Sequence, residues 1–490
     1  EFKKTEKAEE AARKATALVK DNKWYNEHLS IILATEGKFD EAATLMGALA
    51  DKETSDVNYA VMAADFYDKA KKFTESVAYI DKALLRSGDD DDIQLRKAQL
   101  YLHNNQVDKA ADGIQKLIRK DQQNGKYYKL LGEIYENNKM PEKALKVYLE
   151  AEKVLADDPL IQIGISEHYY NQGDTVNYRK YVKKAIVNNR LEADMQLELL
   201  GSYLQNMGDS QQIAEALPVL TQLLVQHPQN AQLIGMYGEF LEMDHKVELA
   251  ITQYRKALQL KPSNFNIWRD LLNAYSDKKY ADSLVKYSEK AMRLFPTQSI
   301  VHYYNGIGHY NRKEFPAAIK AVNRAIEMLP DNDTRMRTAM YSLLGDLYNS
   351  SKQFEESEKA FDKALELDPN DASVLNNYAY YLSERNRKLD KAEEMSKKSL
   401  VLRPGEATFM DTYGWILYKK GDYEKARQNV EQAVKTNDKR ADGTLYDHLG
   451  DIAFKQNNTA KAVEYWKTAK EKGCENPMLD KKISEGKLYE

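Results

Sequence analysis

Apolar and small residues return along this chain at a fixed interval. A small residue stands at Ala42, Ser76, Ala110 and Ala144, and the slot recurs at Ala250 and Ala318, with Leu284 as the exception. A second small residue follows seven positions later at Ala257, Ala291 and Ala325, and a proline five positions after that at Pro262, Pro296 and Pro330. The step between successive slots is 34 residues. Self-similarity at such a period means a stack of short units, each touching its neighbours, and not one closed core.

Residues 407–436 show the unit most clearly. Met410, Tyr413, Gly414 and Leu417 fall at i, i+3, i+4 and i+7, one face of a helix. Gly421-Asp422 interrupts it, because glycine tolerates the left-handed backbone of a tight turn. Tyr423, Ala426, Val430 and Ala433 then mark the inner face of a second helix. The small residues let the two helices approach closely. Proline ends the second helix by withholding an N–H. Pro369 and Pro404 continue that series.

The pattern resembles the tetratricopeptide-repeat family. Leu344-Gly345, Tyr348, Phe354, Phe361, Ala364 and Pro369 fill its slots, as do Trp268, Leu271, Tyr275, Ala291 and Pro296. The fold expected is all-α: a right-handed superhelical solenoid of about thirteen helical hairpins. Residues 1–22 read as a partial N-terminal repeat helix, 23–472 as the solenoid and 473–490 as a C-terminal capping helix. Three irregularities are expected. Pro218 falls inside a second helix and predicts a kink or break. Extra residues at 331–336 predict a longer loop or a longer following helix, and one more residue enters near Arg385–Leu389. A turn is expected at Asn206–Asp209, and residues 158–190 form a degenerate unit in which Tyr178 takes the small-residue slot.

Composition changes this picture little. Lys+Arg 72 against Asp+Glu 76 gives a net charge of -4, which offers no general pull toward nucleic acid. No apolar run is long enough for a transmembrane helix. Cys474 is the only cysteine, so an intramolecular disulfide is excluded. The eight histidines show no metal-ligand spacing, and no phosphate-cradling glycine motif occurs. The run Asp89–Asp92 lacks the ligand order of a calcium loop and reads as a solvated turn. Neither a catalytic constellation nor a cofactor or metal site emerges.

The resemblance implies that the first helix of each hairpin lines a concave surface that binds peptides or proteins. By register, that surface carries Tyr303, Ile307, Tyr310, Tyr380, Trp415, Tyr418 and Phe454, with Asp447 and Asp451 between them. Aromatic side chains left on such a wall supply interface hot spots. Arg269 and Asn273 resemble part of a cluster that grips a terminal carboxylate, with Tyr304 where a second asparagine belongs. The expected function is a non-catalytic scaffold or adaptor with a protein or peptide partner. The alternative is a regulatory or accessory subunit of an enzyme or envelope complex whose functional domain lies outside the chain. The ending, Tyr413-Gly414-Trp415 through Asp447–Asp451 to Trp466, resembles bacterial multi-repeat members. It implies a periplasmic or outer-membrane setting with a lipid anchor upstream; a cytoplasmic setting is the alternative.

Overall fold

The computed structural model describes residues 2–88, 90–205, 207–436 and 443–489. Among them are twenty-eight α-helices, one short 3-10 turn (Lys278–Tyr280) and no strand. The helices between Lys23 and Glu471 run as thirteen consecutive antiparallel pairs, preceded by Phe2–Leu18 and followed by Leu479–Glu485. The all-α hairpin array expected from the 34-residue step is the one that forms. The first helix of each pair is called helix A below, the second helix B.

Three local devices build a hairpin. An Asp or Asn often caps helix A: Asp56, Asn124, Asp158, Asn264 and Asp371 each accept a hydrogen bond from a backbone N–H of the first turn. A left-handed residue then turns helix A into helix B. It recurs at Gly37, Lys71, Asn105, Lys139 and Gly173, all with positive φ. The sequence marked only the glycines of this slot. Lysine and asparagine occupy it too, because a backbone N–H closes the turn behind them, as where Lys72 N donates to Tyr67 O at 2.8 Å. The third device is close crossing. A Cβ on Gly345 would lie 2.6 Å from the Phe361 ring, and one on Gly238 would lie 2.7 Å from the Tyr254 ring. Gly132 with Tyr148 and Gly450 with Trp466 repeat the arrangement at the same sixteen-residue separation.

The chain divides into two compact units, residues 1–233 and 234–490, with the boundary inside the helix Ala231–Met243. In the first unit, Ala110, Ala144, Tyr148 and Ile165 lie in one buried cluster and Met46, Ala60 and Ala83 in another. The degenerate repeat is held by a polar network. Asn188 Nδ2 donates to Gln162 Oε1 at 3.0 Å, and Gln196 Nε2 donates to Asn188 O at 2.9 Å. Asn206 and Asp89, on which two sequence expectations touched, lie outside the described residues. Of the kink or break expected at Pro218, the break does not occur. Asp209–Gln226 is one unbroken helix, and Ala216, Val219, Leu220 and Leu223 are buried on both sides of the proline. Their packing outweighs the one hydrogen bond that proline forgoes.

In the second unit the buried seam passes through Ala318, Val322 and Leu344, then Phe361, Tyr378 and Ile416, then Val430 and Leu449. The residues inserted near 331–336 lengthen the next helix A to Thr334–Ser350, 17 residues. The residue added near 385–389 is absorbed by two left-handed positions, Asn386 and Lys388. The helix Leu479–Glu485 lays Leu479 and Ile483 against Ala453, Ala462 and Trp466, so the end of the chain covers the last hairpin.

Candidate peptide-binding face

Three successive A helices of the second unit, Ala372–Glu384, Ala407–Lys419 and Gly443–Lys455, enclose a recess of about 230 Å³. Asn376, Asn377, Tyr380 and Tyr381 come from the first of these helices, Asp411 from the second and His448 from the third. All three are held in register by small residues against their own B helices, so the same sequence slot is offered three times side by side.

The polar groups are unevenly satisfied. His448 is buried, and its Nδ1 meets Asp411 Oδ1 at 2.8 Å and Oδ2 at 3.0 Å. Burial alone would push the imidazole down in pKa; Asp411, with Asp451 and Asp447 behind it, reverses that and raises it. Asn376 is only 3% exposed. Its Nδ2 reaches Asn377 Oδ1 at 3.4 Å, while its Oδ1 has no hydrogen-bond partner. Asp346, on the neighbouring helix A, is similar. Tyr381 and Asn377 hydrogen-bond to its carboxyl, but its Oδ1 has no partner. Burial pushes that carboxyl up to about 7, against the two hydrogen bonds that lower it. Buried acceptors without donors are rare in folded proteins and cost free energy.

The aromatic residues singled out by register fall into three packing groups. Tyr303 and Tyr310 lie half-buried against the Ala318–Leu344 cluster, Tyr310 with its ring 6.3 Å from that of Phe315. Ile307 is half-buried on the same helix. Tyr380 packs beside Trp415 and Tyr418. Those last two are less open than the register predicts. Trp415 is sandwiched between His448 at 4.0 Å and Tyr418 at 4.7 Å, and its Nε1 donates to Glu384 Oε1 at 2.5 Å. Phe454 belongs to the third group, half-buried 6.1 Å from Trp466. Asp447 and Asp451 do not face solvent either. Both are bonded by the buried ammonium of Lys482, which the capping helix delivers.

The carboxylate-gripping cluster does not assemble at Arg269. Its guanidinium donates to Asp270 Oδ1 at 2.9 and 3.0 Å. Asn273 donates to Glu242 Oε1 at 2.9 Å and accepts from the Tyr304 hydroxyl at 3.1 Å. Glu239 lines the same recess. Burial, and then the charge of Asp270, raises the pKa of both glutamates. Three carboxylates around one guanidinium do not suit a further anion. Among the histidines, His302 Nε2 lies 3.0 Å from Pro296 O and His309 Nδ1 2.6 Å from Glu314. Cys474 is half-buried against the Trp466 cluster.

Asp346, Asn376, Asn377, Tyr381, Asp411 and His448 were missed by the reading for aromatic residues. A signal existed. Asp346 follows Gly345 as Ile307 follows Gly306 and Trp415 follows Gly414, and Asn376 holds the slot of Tyr303.

Comparison with known proteins bears on the repeat. Tetratricopeptide-repeat families match residues 69–134, 339–371, 360–394 and 414–473. A family described as ChAPs (Chs5p-Arf1p-binding proteins) matches residues 202–342. Protein O-mannosyl-transferase TMTC3 of Homo sapiens is 24% identical over 284 residues, which is 56% of this chain and 31% of that protein. BBSome complex member BBS4 of Bos taurus is 22% identical over 231 residues, 47% of this chain and 43% of that protein. The chain thus spans less than half the length of these relatives. A solved structure, the APC/C hetero-tetramer Cut9-Hcn1, aligns over 96% of this chain and 98% of the other, at 13% identity and a TM-score of 0.45. Thirteen consecutive helical hairpins, with tetratricopeptide-repeat family matches in both halves of the array, make this chain a multi-repeat tetratricopeptide-repeat protein.

Proposed function

We propose that the chain is a non-catalytic protein-interaction scaffold or adaptor, and that the A-helix face of residues 372–455 holds a segment of its partner. Tetratricopeptide-repeat proteins generally mediate protein–protein interactions, which supplies the class. The observation that carries the site is the recess itself: it is walled by tyrosines and floored by a buried carboxamide whose oxygen lacks a donor. Tyrosine gives contact area at little entropic cost, and an unmet acceptor is answered by a peptide N–H or a donor side chain. Tyr303, Ile307, Tyr310, Tyr380, Trp415, Tyr418 and Phe454 remain the proposed contact residues, with Trp415 and Tyr418 acting by holding the wall.

Photo-crosslinking tests this reading. A crosslinking amino acid at Thr408, exposed on the rim of the recess, is compared with one at Leu85, which is 86% exposed in the first unit. Crosslinks from the native source that are specific to Thr408, and that vanish with Tyr380→Ala, support it. Equal labelling at both positions refutes it. The second reading, a regulatory or accessory region whose functional domain lies outside this chain, draws on the relatives: the matched parts are 31% and 43% of their lengths, and one is named as a transferase. Copurification of the native protein with an enzymatic activity that separates from this chain tests it. A bacterial source and an upstream lipid anchor belong to the same proposal, and the mass of the native N-terminal peptide tests the anchor.

A further inference from the structure

We propose that the recess between the last three A helices, extended by Asp346, takes an extended peptide segment bearing basic side chains. This rests on the interaction function proposed above and names the chemistry of the occupant. Three observations point the same way.

The first is the inventory of unmet groups. Asn376 Oδ1 and Asp346 Oδ1 are both buried acceptors with no partner. A site with spare acceptors asks for donors. A guanidinium brings five N–H groups and an ammonium three, whereas a carboxylate or phosphate brings none. The second is charge. Among the described residues lining the recess none is lysine or arginine, and the single histidine is spent on Asp411. With Asp411 paired to that imidazole, the acids left beside the recess are Asp346, bonded by Tyr381 and Asn377, and Glu384, which reaches it through Trp415 Nε1. Further up the unit a second recess carries Glu239, in the slot of Asp346, with Glu242 and Asp270, against the one guanidinium of Arg269 that Asp270 already holds. A face lined by one sign of charge steers and selects the opposite sign. The third is the aromatic wall. Tyr380 and Tyr381, both half-buried, line the recess with ring centroids 5.8 Å apart, and an arginine or lysine side chain lies well against such faces.

An extended basic segment meets all three needs. Its side-chain donors reach Asp346, its backbone N–H reaches Asn376, and its stem packs on the tyrosines. A free terminal carboxylate, the ligand expected from Arg269 and Asn273, adds acceptors and negative charge where the recess already holds both.

The test uses the whole chain and two capped, fluorescein-labelled peptides of glycine, serine and alanine. One carries several arginines and the other the same number of glutamates. Fluorescence anisotropy at low salt is expected to show the arginine peptide binding at least about tenfold more tightly than the glutamate peptide. Asp346→Asn, and separately Thr408→Arg at the exposed rim, should each weaken the arginine peptide by about tenfold while helicity is unchanged. Thr408→Arg adds a charge at a solvent-exposed position, so its effect is not a folding effect. Equal or tighter binding of the glutamate peptide overturns the proposal, and so does an arginine affinity indifferent to Thr408→Arg. The two readings fail separately. Acidic or apolar partner segments crosslinked at Thr408 would leave the interaction function standing and remove the basic occupant. Absence of any Thr408-specific crosslink would remove both.

Discussion

Lys482 is the side chain whose loss should cost the most at the C-terminal end. It is 1% exposed, and its ammonium meets Asp447 Oδ1 at 3.0 Å and Asp451 Oδ1 and Oδ2 at 2.6 and 2.9 Å. Asn476 Nδ2 donates to the other Asp447 oxygen at 2.7 Å, and Trp466 Nε1 donates to Asp451 Oδ1 at 2.8 Å. Two buried carboxylates therefore share one ammonium. Burial, and then Asp447, pushes the Asp451 carboxyl up to about 6 even with that ammonium present. Lys482→Met keeps the packing volume and takes the shared ammonium from both acids. Removing one partner of a buried ion pair costs about 3–5 kcal/mol. Protonation of Asp451 recovers part of this, so the loss at neutral pH should sit near the lower end. A repeat array need not unfold in one step, so the quantity to measure is local. Native-state hydrogen exchange at neutral pH should show the protection of residues 443–471 falling by roughly a hundredfold or more, since about 1.4 kcal/mol is one decade. Residues 39–52 should be unaffected. Adding Asp447→Asn and Asp451→Asn to Lys482→Met should restore most of the protection. Protection within about threefold of the parent, or a loss spread evenly over the chain, would show that the ammonium does not hold the last hairpin.

Asp346→Asn should stabilise the helix Thr334–Ser350 at pH 8 and leave it unchanged near pH 4. The folded carboxyl titrates near 7 and the unfolded one near 3.8, so the folded state holds the proton longer and parent stability falls as pH rises between those values. At about 1.4 kcal/mol per pH unit the ceiling is about 4 kcal/mol, and hydrogen exchange at the two pH values reads the difference; an asparagine variant that is less stable at pH 8 contradicts it. Gly345→Ala should destabilise the same hairpin by about 1–3 kcal/mol, because its Cβ meets the Phe361 ring. A Phe361→Leu partner should recover part of that loss in a double-mutant cycle, and simple additivity would exclude the contact as the cause. Lys71→Gly should stabilise the second hairpin by about 1 kcal/mol, since φ at Lys71 is 62° and a lysine pays for that backbone where glycine does not. Local exchange protection that does not rise would place the turn strain elsewhere.

The hairpins, their pairing and most of their turns were legible in the chain because they are local. Ala42, Ser76, Ala110 and Ala144 each pack against a helix a few residues away, and a contact that close in sequence repeats whenever the spacing repeats. Gly345 and Phe361, sixteen apart, belong to the same class. The state of the A-helix face was not legible, because it depends on residues one repeat further on. Trp415 and Tyr418 read as open aromatic residues until His448 of the next hairpin stacks on the indole. Asp447 and Asp451 read as groove acids until Lys482, arriving on the capping helix, neutralises them. Nothing in the sequence sets Asp346 apart, yet Tyr381 and Asn377 of the next hairpin hydrogen-bond to it and burial raises its pKa to about 7. A repeat fixes where a side chain stands. Whether it meets water, a ring or a counter-charge is set by what the neighbouring repeat places opposite, and only the packed structure brings those two together.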